Sequence, residues 1–332
     1  MKVGVIGTGS WGTALAQVLC DNNVDVLIWG RSKSEVNLIN NEHRLSILGD
    51  VKLNENLRAT NNFSDIKDSD IVVLATPTQA LDSVCKLIND HFKKQVIIIN
   101  VSKGFHADTN ELLTDAIKRL IKPNLVKEVV SLIGPTHAEE VIIRLETAIS
   151  AVSEDIETAK LIQKLFANDY FRVYTSTDVI GAQIGAAVKN VIALASGMLN
   201  GLGLGDNARA ALITRGLAEI RRLGVAMGGN DQTFFGLTGV GDLIVTATSQ
   251  HSRNFQAGTL IGEKDSAEYF WKHNEKTVEG VKAAKVVHEL SKKYNVVMPL
   301  SEQIYNVLYN NELPSEAVNK LMNRKLKSED IN

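Results

Sequence analysis

The sequence predicts an α/β fold: a doubly wound sheet domain first, then an all-α domain. Three observations predict it. The run Val3-Gly-Val-Ile6 meets Gly7-x-Gly9-x-x-Gly12, and a helical pattern with Leu15, Val18 and Leu19 follows. Short apolar runs then recur through the first half, with helical stretches between them. From Asp178 onward the periodicity is helical alone. That change of pattern puts a domain boundary near residue 180, giving units 1–180 and 181–332.

Each element follows from its own residues. After the first strand, Gly7 permits a tight turn, Gly9 lets backbone approach a pyrophosphate, and Gly12 lets the helix pack closely on the strand. The helix N-terminus then offers free N–H groups and a partial positive charge to phosphates, so the motif reads as a dinucleotide site. Further strands are expected at Val24–Trp29, Asp70–Ala75, Gln95–Val101 and Val129–Ile133. Their apolar cores are nearly continuous, as suits parallel strands buried on both faces. Thr147–Val152 and Phe171–Tyr174 are expected to extend the same sheet. Helices are expected over Val179–Leu199, Ala208–Met227, Gly280–Tyr294 and Glu302–Tyr309.

Composition removes several function classes. A net charge of −2 over 332 residues lacks the strongly basic face of a nucleic-acid binder. Cys20 and Cys85 have no metal-ligand spacing, so no metal is expected, and both read as packing thiols of a cytoplasmic protein. The N-terminal apolar stretch is too short and too glycine-broken for a signal peptide. The segment Val179–Leu204 is long enough to span a bilayer, but it carries Gln183, Lys189, Asn190 and Asn200. It reads as a buried helix, and no membrane span is expected.

The second strand ends Trp29-Gly-Arg31-Ser-Lys33, with no carboxylate for a ribose 2′-OH. Arg31 stands there instead, and a guanidinium binds a 2′-phosphate through two parallel hydrogen bonds. NADP(H) is therefore the expected cofactor, with NAD(H) as the alternative. The alternative, that Arg31 and Lys33 are ordinary solvated surface charges, is disfavoured by their position at the end of the second strand.

The second half carries the candidate chemistry. Lys189 lies in an apolar helix among Ala182, Ala186, Ala193 and Gly197. A lysine in a desolvated cleft is suited to acid–base work. The helix pattern by itself favours a packed stem with a solvated ammonium. Gly236-Leu-Thr-Gly-Val-Gly-Asp242 is a glycine-rich loop ending in an acid, and alone it fits an ordinary turn with a helix cap. Ser252-Arg253-Asn254 offers a hydroxyl, a guanidinium and an amide to a small phosphate, though such triplets are common on surfaces. Ser102-Lys103-Gly104 and Gly134-Pro-Thr136 follow predicted strands, at the carboxyl ends where open α/β sheets bind ligands.

Taken together, these blocks resemble the bacterial NAD(P)-dependent glycerol-3-phosphate dehydrogenases over essentially the whole chain. The matching stretches also include Gly134 to Glu139, Gly185 to Asn190, Asn200 to Arg209, Leu212 to Glu219 and Val278-Glu-Gly280. The resemblance implies a Rossmann-like domain followed by a helical one, with the active site between them. It implies reduction of dihydroxyacetone phosphate to sn-glycerol 3-phosphate, by a cytoplasmic homodimer that feeds phospholipid synthesis. It places Ser10, Trp11, Arg31, Ala138 and Glu279 on the cofactor, and Lys103 on cofactor and substrate. Gly134 and Thr136 would line the substrate site, with Lys189 as proton donor. Asp242, Ser252, Arg253 and Asn254 fall on substrate-binding positions, and Arg253 also reaches the cofactor. Asp242 either orients Lys189 or binds a substrate hydroxyl. Thr136 replaces the usual serine, and Thr277 stands where valine is expected.

Two rivals carry distinct expectations. A β-hydroxyacid dehydrogenase with a helix lysine would bind a carboxylate instead of a phosphate. A non-catalytic NADPH sensor would show eroded chemistry in its second half, whereas Lys103, Lys189, Asp242 and Arg253 are all present.

Overall fold

A computed structural model describes all residues except 275, 276, 327 and 330–332. The chain divides into two compact units, Met1–Val179 and Ile180–Asn332. The first holds an eight-stranded sheet in the order β3-β2-β1-β4-β5-β6-β7-β8. The strands are β1 (Lys2–Ile6), β2 (Asp25–Trp29), β3 (Arg58–Thr60), β4 (Ile71–Leu74), β5 (Val96–Asn100), β6 (Val126–Ile133), β7 (Thr147–Val152) and β8 (Phe171–Ser176). The helices are α1 (Ser10–Asp21), α2 (Lys33–Glu42), α3 (Leu81–His91), α4 (Leu113–Leu120), α5 (Ala138–Val141) and α6 (Ile156–Phe166).

Both sheet faces are buried, and the strand residues divide between them by alternation. Val3, Val5, Ile71, Val73, Ile97 and Ile99 share one core with Leu15, Val18 and Leu19 of α1 and Phe166 of α6. Ile6, Val72, Leu74, Val96 and Ile98 share the other with Leu81, Val84 and Ile88 of α3 and Ile117 of α4. This is the doubly wound fold that the sequence predicts. The strand order reverses between β1 and β4, and Gly7 leaves the sheet at that switch point.

Two features differ from the sequence reading. The strand β3 is additional: three residues that pair with β2 at the sheet edge, too short and too polar to signal themselves. The expected extension of the sheet by β7 and β8 is present, but β7 runs antiparallel to β6. After β6 the chain forms only the four-residue α5, about 6 Å long, which cannot carry it back across the sheet. It turns back at the carboxyl end, and residues 134–138 are held there.

The second unit is helical: α7 (Val179–Gly201), α8 (Asp206–Ala226), α9 (Asp242–Thr248), α10 (Arg253–Glu263), α11 (Glu268–His273), α12 (Glu279–Lys293), α13 (Pro299–Tyr309) and α14 (Pro314–Met322). A short π-helical turn, Leu237–Gly241, precedes α9. The α7 helix is long and apolar enough to cross a membrane, but 94% of its most apolar window is buried in the fold. It meets α10 backbone to backbone. A Cβ on Gly197 would come within 2.1 Å of Phe255 O, and one on Gly258 within 1.9 Å of Leu194 O. The buried carboxylate of Glu219 caps α13, accepting from the N–H groups of Leu300 and Ser301 and from the Ser301 hydroxyl.

Candidate active site

Within the first unit the candidate residues line the carboxyl edge of the sheet. Gly7 has φ +121°, and a Cβ there would stand 2.4 Å from Ala75 O. A Cβ on Gly12 would stand 2.3 Å from Gly7 O. Both glycines are thus required by the protein itself. Gly9 is different: its backbone is extended, and a Cβ would meet nothing within 4 Å. Neither packing nor conformation requires glycine there, and the open space beside it leaves room for a phosphate to approach the backbone. The helix α1, which Ser10 and Trp11 open, has no side-chain cap and no acid in its first turn. By contrast, Asp155 caps α6 and Glu157 follows in its first turn. An uncapped, acid-free N-terminus at the switch point fits a pyrophosphate.

Arg31 is exposed just beyond β2. Ser32 caps α2 by accepting from the Glu35 N–H, and the Glu35 carboxylate accepts from the Ser46 hydroxyl and N–H. The nearest acid in the chain is therefore committed to Ser46. The edge presents a guanidinium where NAD-specific sites present a carboxylate.

Lys103 follows β5 and donates from Nζ to the Gly134 carbonyl at 3.0 Å. Thr136 Oγ1 donates to the same oxygen at 3.3 Å. Gly134 is glycine for a packing reason, since a Cβ would lie 2.9 Å from Ile149 Cα on the antiparallel β7. Ala138 opens α5 and is buried. The buried Asn100 amide shapes the turn before Lys103: its Oδ1 accepts from Ser102 N–H, and its Nδ2 donates to Ser102 O. Asn100 was not among the residues singled out from sequence.

In the second unit Lys189 is 3% exposed and Asp242 fully buried. Lys189 Nζ donates to Asp242 Oδ1 at 2.6 Å and also to Thr246 Oγ1. Thr246 Oγ1 in turn donates to the Asp242 carbonyl at 2.7 Å. The packed-stem, solvated-head alternative for Lys189 is therefore not what the fold contains. The approach is close because Gly185 admits the π-turn: a Cβ there would lie 2.3 Å from Thr238 O. Thr246 escaped the sequence reading, although its i+4 spacing from Asp242 on one helix was the available signal.

The Ser252-Arg253-Asn254 triplet divides its labour. Ser252 is buried and caps α10, accepting from the Phe255 N–H. Arg253 is exposed in the first turn of α10. Asn254 donates to Asn190 Oδ1 at 3.0 Å and accepts from the Gly280 N–H at 2.8 Å, joining α7 to the start of α12. Glu279 opens α12. Burial pushes its carboxyl above the usual range, and the charges of Arg253 and Lys282 oppose that shift.

Comparisons with known proteins show the family. Residues 2–159 match the family described as NAD-dependent glycerol-3-phosphate dehydrogenase N-terminus, and residues 178–319 match its C-terminus. The chain belongs to this family. As a member it is an oxidoreductase of the CH–OH dehydrogenase class with NAD(P) as cofactor. It is 47% identical over 330 residues to the glycerol-3-phosphate dehydrogenase (NAD(P)+) of Listeria innocua, covering 99% of this chain and 98% of that one. The enzyme of the same name from Enterococcus faecalis is 46% identical, with 99% and 97% covered. Among solved structures, the glycerol-3-phosphate dehydrogenase of Coxiella burnetii superposes with a TM-score of 0.89 at 32% identity, covering 97% of this chain and 99% of that one. A ketopantoate reductase from Ralstonia eutropha shares the fold alone, at 14% identity and a TM-score of 0.61 over 96% of this chain and all of that one.

Proposed function

We propose that the chain interconverts dihydroxyacetone phosphate and sn-glycerol 3-phosphate, preferring NADP(H) and accepting NAD(H). The observation that carries this reading is Lys189: a buried ammonium held by Asp242 and Thr246, in a chain of this family. The nicotinamide, when bound, supplies or takes up the hydride. Lys189 Nζ holds the proton that the C2 oxygen needs as it gains negative charge. Asp242 and Thr246 aim that ammonium, so Asp242 is an orienting group. Lys103 stabilises developing negative charge, a contribution of about 3 kcal/mol at such sites. Arg253 anchors the phosphate, and its binding energy helps the chemistry as well as the affinity. Ser252 and Asn254 hold the backbone around it, with Gly134 and Thr136 as further substrate contacts. Gly7, Gly9, Ser10, Trp11, Gly12, Arg31, Ala138 and Glu279 serve the cofactor, and Lys103 and Arg253 reach it as well.

The test is the loss of NADPH absorbance on adding dihydroxyacetone phosphate. Lys189→Ala is expected to lower kcat by roughly 10²- to 10⁴-fold while NADPH binding survives. Near-normal kcat in that variant sinks the assignment, and turnover of a β-hydroxyacid in place of the phosphate ester would favour the rival substrate class. Supply of glycerophospholipid synthesis from the cytoplasm, by a homodimer, completes the reading. Sedimentation equilibrium checks the dimer.

A further inference from the structure

Residues 101–112 form a closed loop between β5 and α4, with Lys103 at its stem and a bridge between Phe105 and Leu112 closing it. His106, 2% exposed, fills this loop. Its N–H donates to Glu111 O at 2.9 Å, and its carbonyl accepts from Asn110 N–H at 3.2 Å. Its ring reaches outward to two elements. Nε2 lies 2.9 Å from Oδ2 of Asp82, in the first turn of α3. A carboxylate only accepts, so Nε2 carries the proton. Nδ1 is then an acceptor and takes the Thr109 N–H at 3.3 Å, while the Thr109 hydroxyl donates to Glu111 Oε2 at 2.6 Å. Glu111 then holds Arg119 of α4 through bonds of 3.0 and 2.7 Å. A continuous polar chain, Asp82–His106–Thr109–Glu111–Arg119, therefore runs from α3 through the loop to α4. Between Lys103 and this anchor stand only Gly104, at φ +124°, and Phe105.

The Asp82 side chain is 52% exposed, so this bond adds little to global stability. A buried histidine tied to a half-exposed acid has a more local consequence: it fixes the backbone three residues from Lys103. We propose that His106, anchored by Asp82, is a positioning residue that sets where the Lys103 ammonium points. The inference rests on the reading of Lys103 given above. It is distinct from a loop-stabilising role, because its effect must pass through that one amine.

A double-mutant cycle separates the two. Asp82→Ala is expected to lower kcat about ten- to a hundredfold, as small misplacements of a catalytic group do, with the melting temperature unchanged. Asp82→Asn keeps an acceptor for Nε2–H and is expected to recover most of the activity. In a Lys103→Ala background, Asp82→Ala is expected to change kcat no further. Wild-type kcat for Asp82→Ala, or the same loss in both backgrounds, overturns the proposal. If Lys103→Ala itself keeps wild-type kcat, the reading of Lys103 falls and this inference falls with it. If Lys103→Ala is impaired while Asp82→Ala is not, only the inference falls.

Discussion

The carboxyl edge of the sheet and the junction of α7 with α9 handle charge in opposite ways. The edge offers main-chain N–H groups at an uncapped helix, an exposed guanidinium on Arg31, and an amine on Lys103 held by a neutral carbonyl. The junction buries a complete ion pair, Lys189 with Asp242, and adds the Thr246 hydroxyl. The difference teaches which function each region can serve. An open, partly solvated edge suits a large anion, and backbone donors can bind one without reorganising. A buried pair is costly to keep, and under the proposed function it fixes the direction in which Lys189 delivers its proton.

The contrast breaks most visibly at Asp242. Asp242→Ala leaves the Lys189 charge buried without its carboxylate and is expected to cost roughly 3–5 kcal/mol of stability together with most of kcat. Thermal melts and steady-state rates check this. Lys189→Met in the same background is expected to restore stability without activity. If Asp242→Ala melts like the wild type, the pair is not the buried charge centre described here.

The glycines sharpen the comparison next. Gly12→Ala places a Cβ against Gly7 O and is expected to lower the melting temperature by several degrees. Gly9→Ala meets nothing in the protein, so stability should hold while KM for NADPH rises on the order of tenfold. Equal effects of the two on stability would remove the argument that the space beside Gly9 is left for a ligand.

At Arg31, Arg31→Asp is expected to move the NADPH/NADH ratio of kcat/KM toward NADH by about tenfold, with no change in melting. An unchanged ratio discredits the 2′-phosphate contact.

The smallest effect belongs to a structural acid. Burial pushes Asp21 upward, but hydrogen bonds from Arg144, Asn54 and Tyr170 outweigh it and hold its carboxyl below the usual range. A depressed folded-state pKa gives stability that is present above the unfolded value, about 3.9, and is lost as pH falls through the folded value. Asp21→Asn is therefore expected to lower the melting temperature by a few degrees at pH 7, with a deficit that shrinks as pH falls below the unfolded value. A deficit that persists undiminished in acid would show that the carboxylate charge is not what matters.

Local pattern carried much of this molecule. The alternation that divides Ile71 and Val73 from Val72 and Leu74 between two cores is written in consecutive residues, as is the glycine spacing that starts α1. Helix α7 shows the same locality, since its apolar run is one continuous segment. What distance separates, the chain left unsaid. The partner of Lys189 lies 53 residues away, and the link from Asn254 to Gly280 spans 26. The antiparallel turn of β7 depends on α5 being too short to cross the sheet. His106 reads in sequence as one histidine in a polar loop, and only the packing of α3 beside it supplies Asp82. Sequence by itself determined the order of elements and the residue types at each edge, because periodicity and turn chemistry act between near neighbours. Tertiary structure alone decided which charges meet and which are buried, because desolvation and ion pairing depend on what the rest of the fold brings alongside.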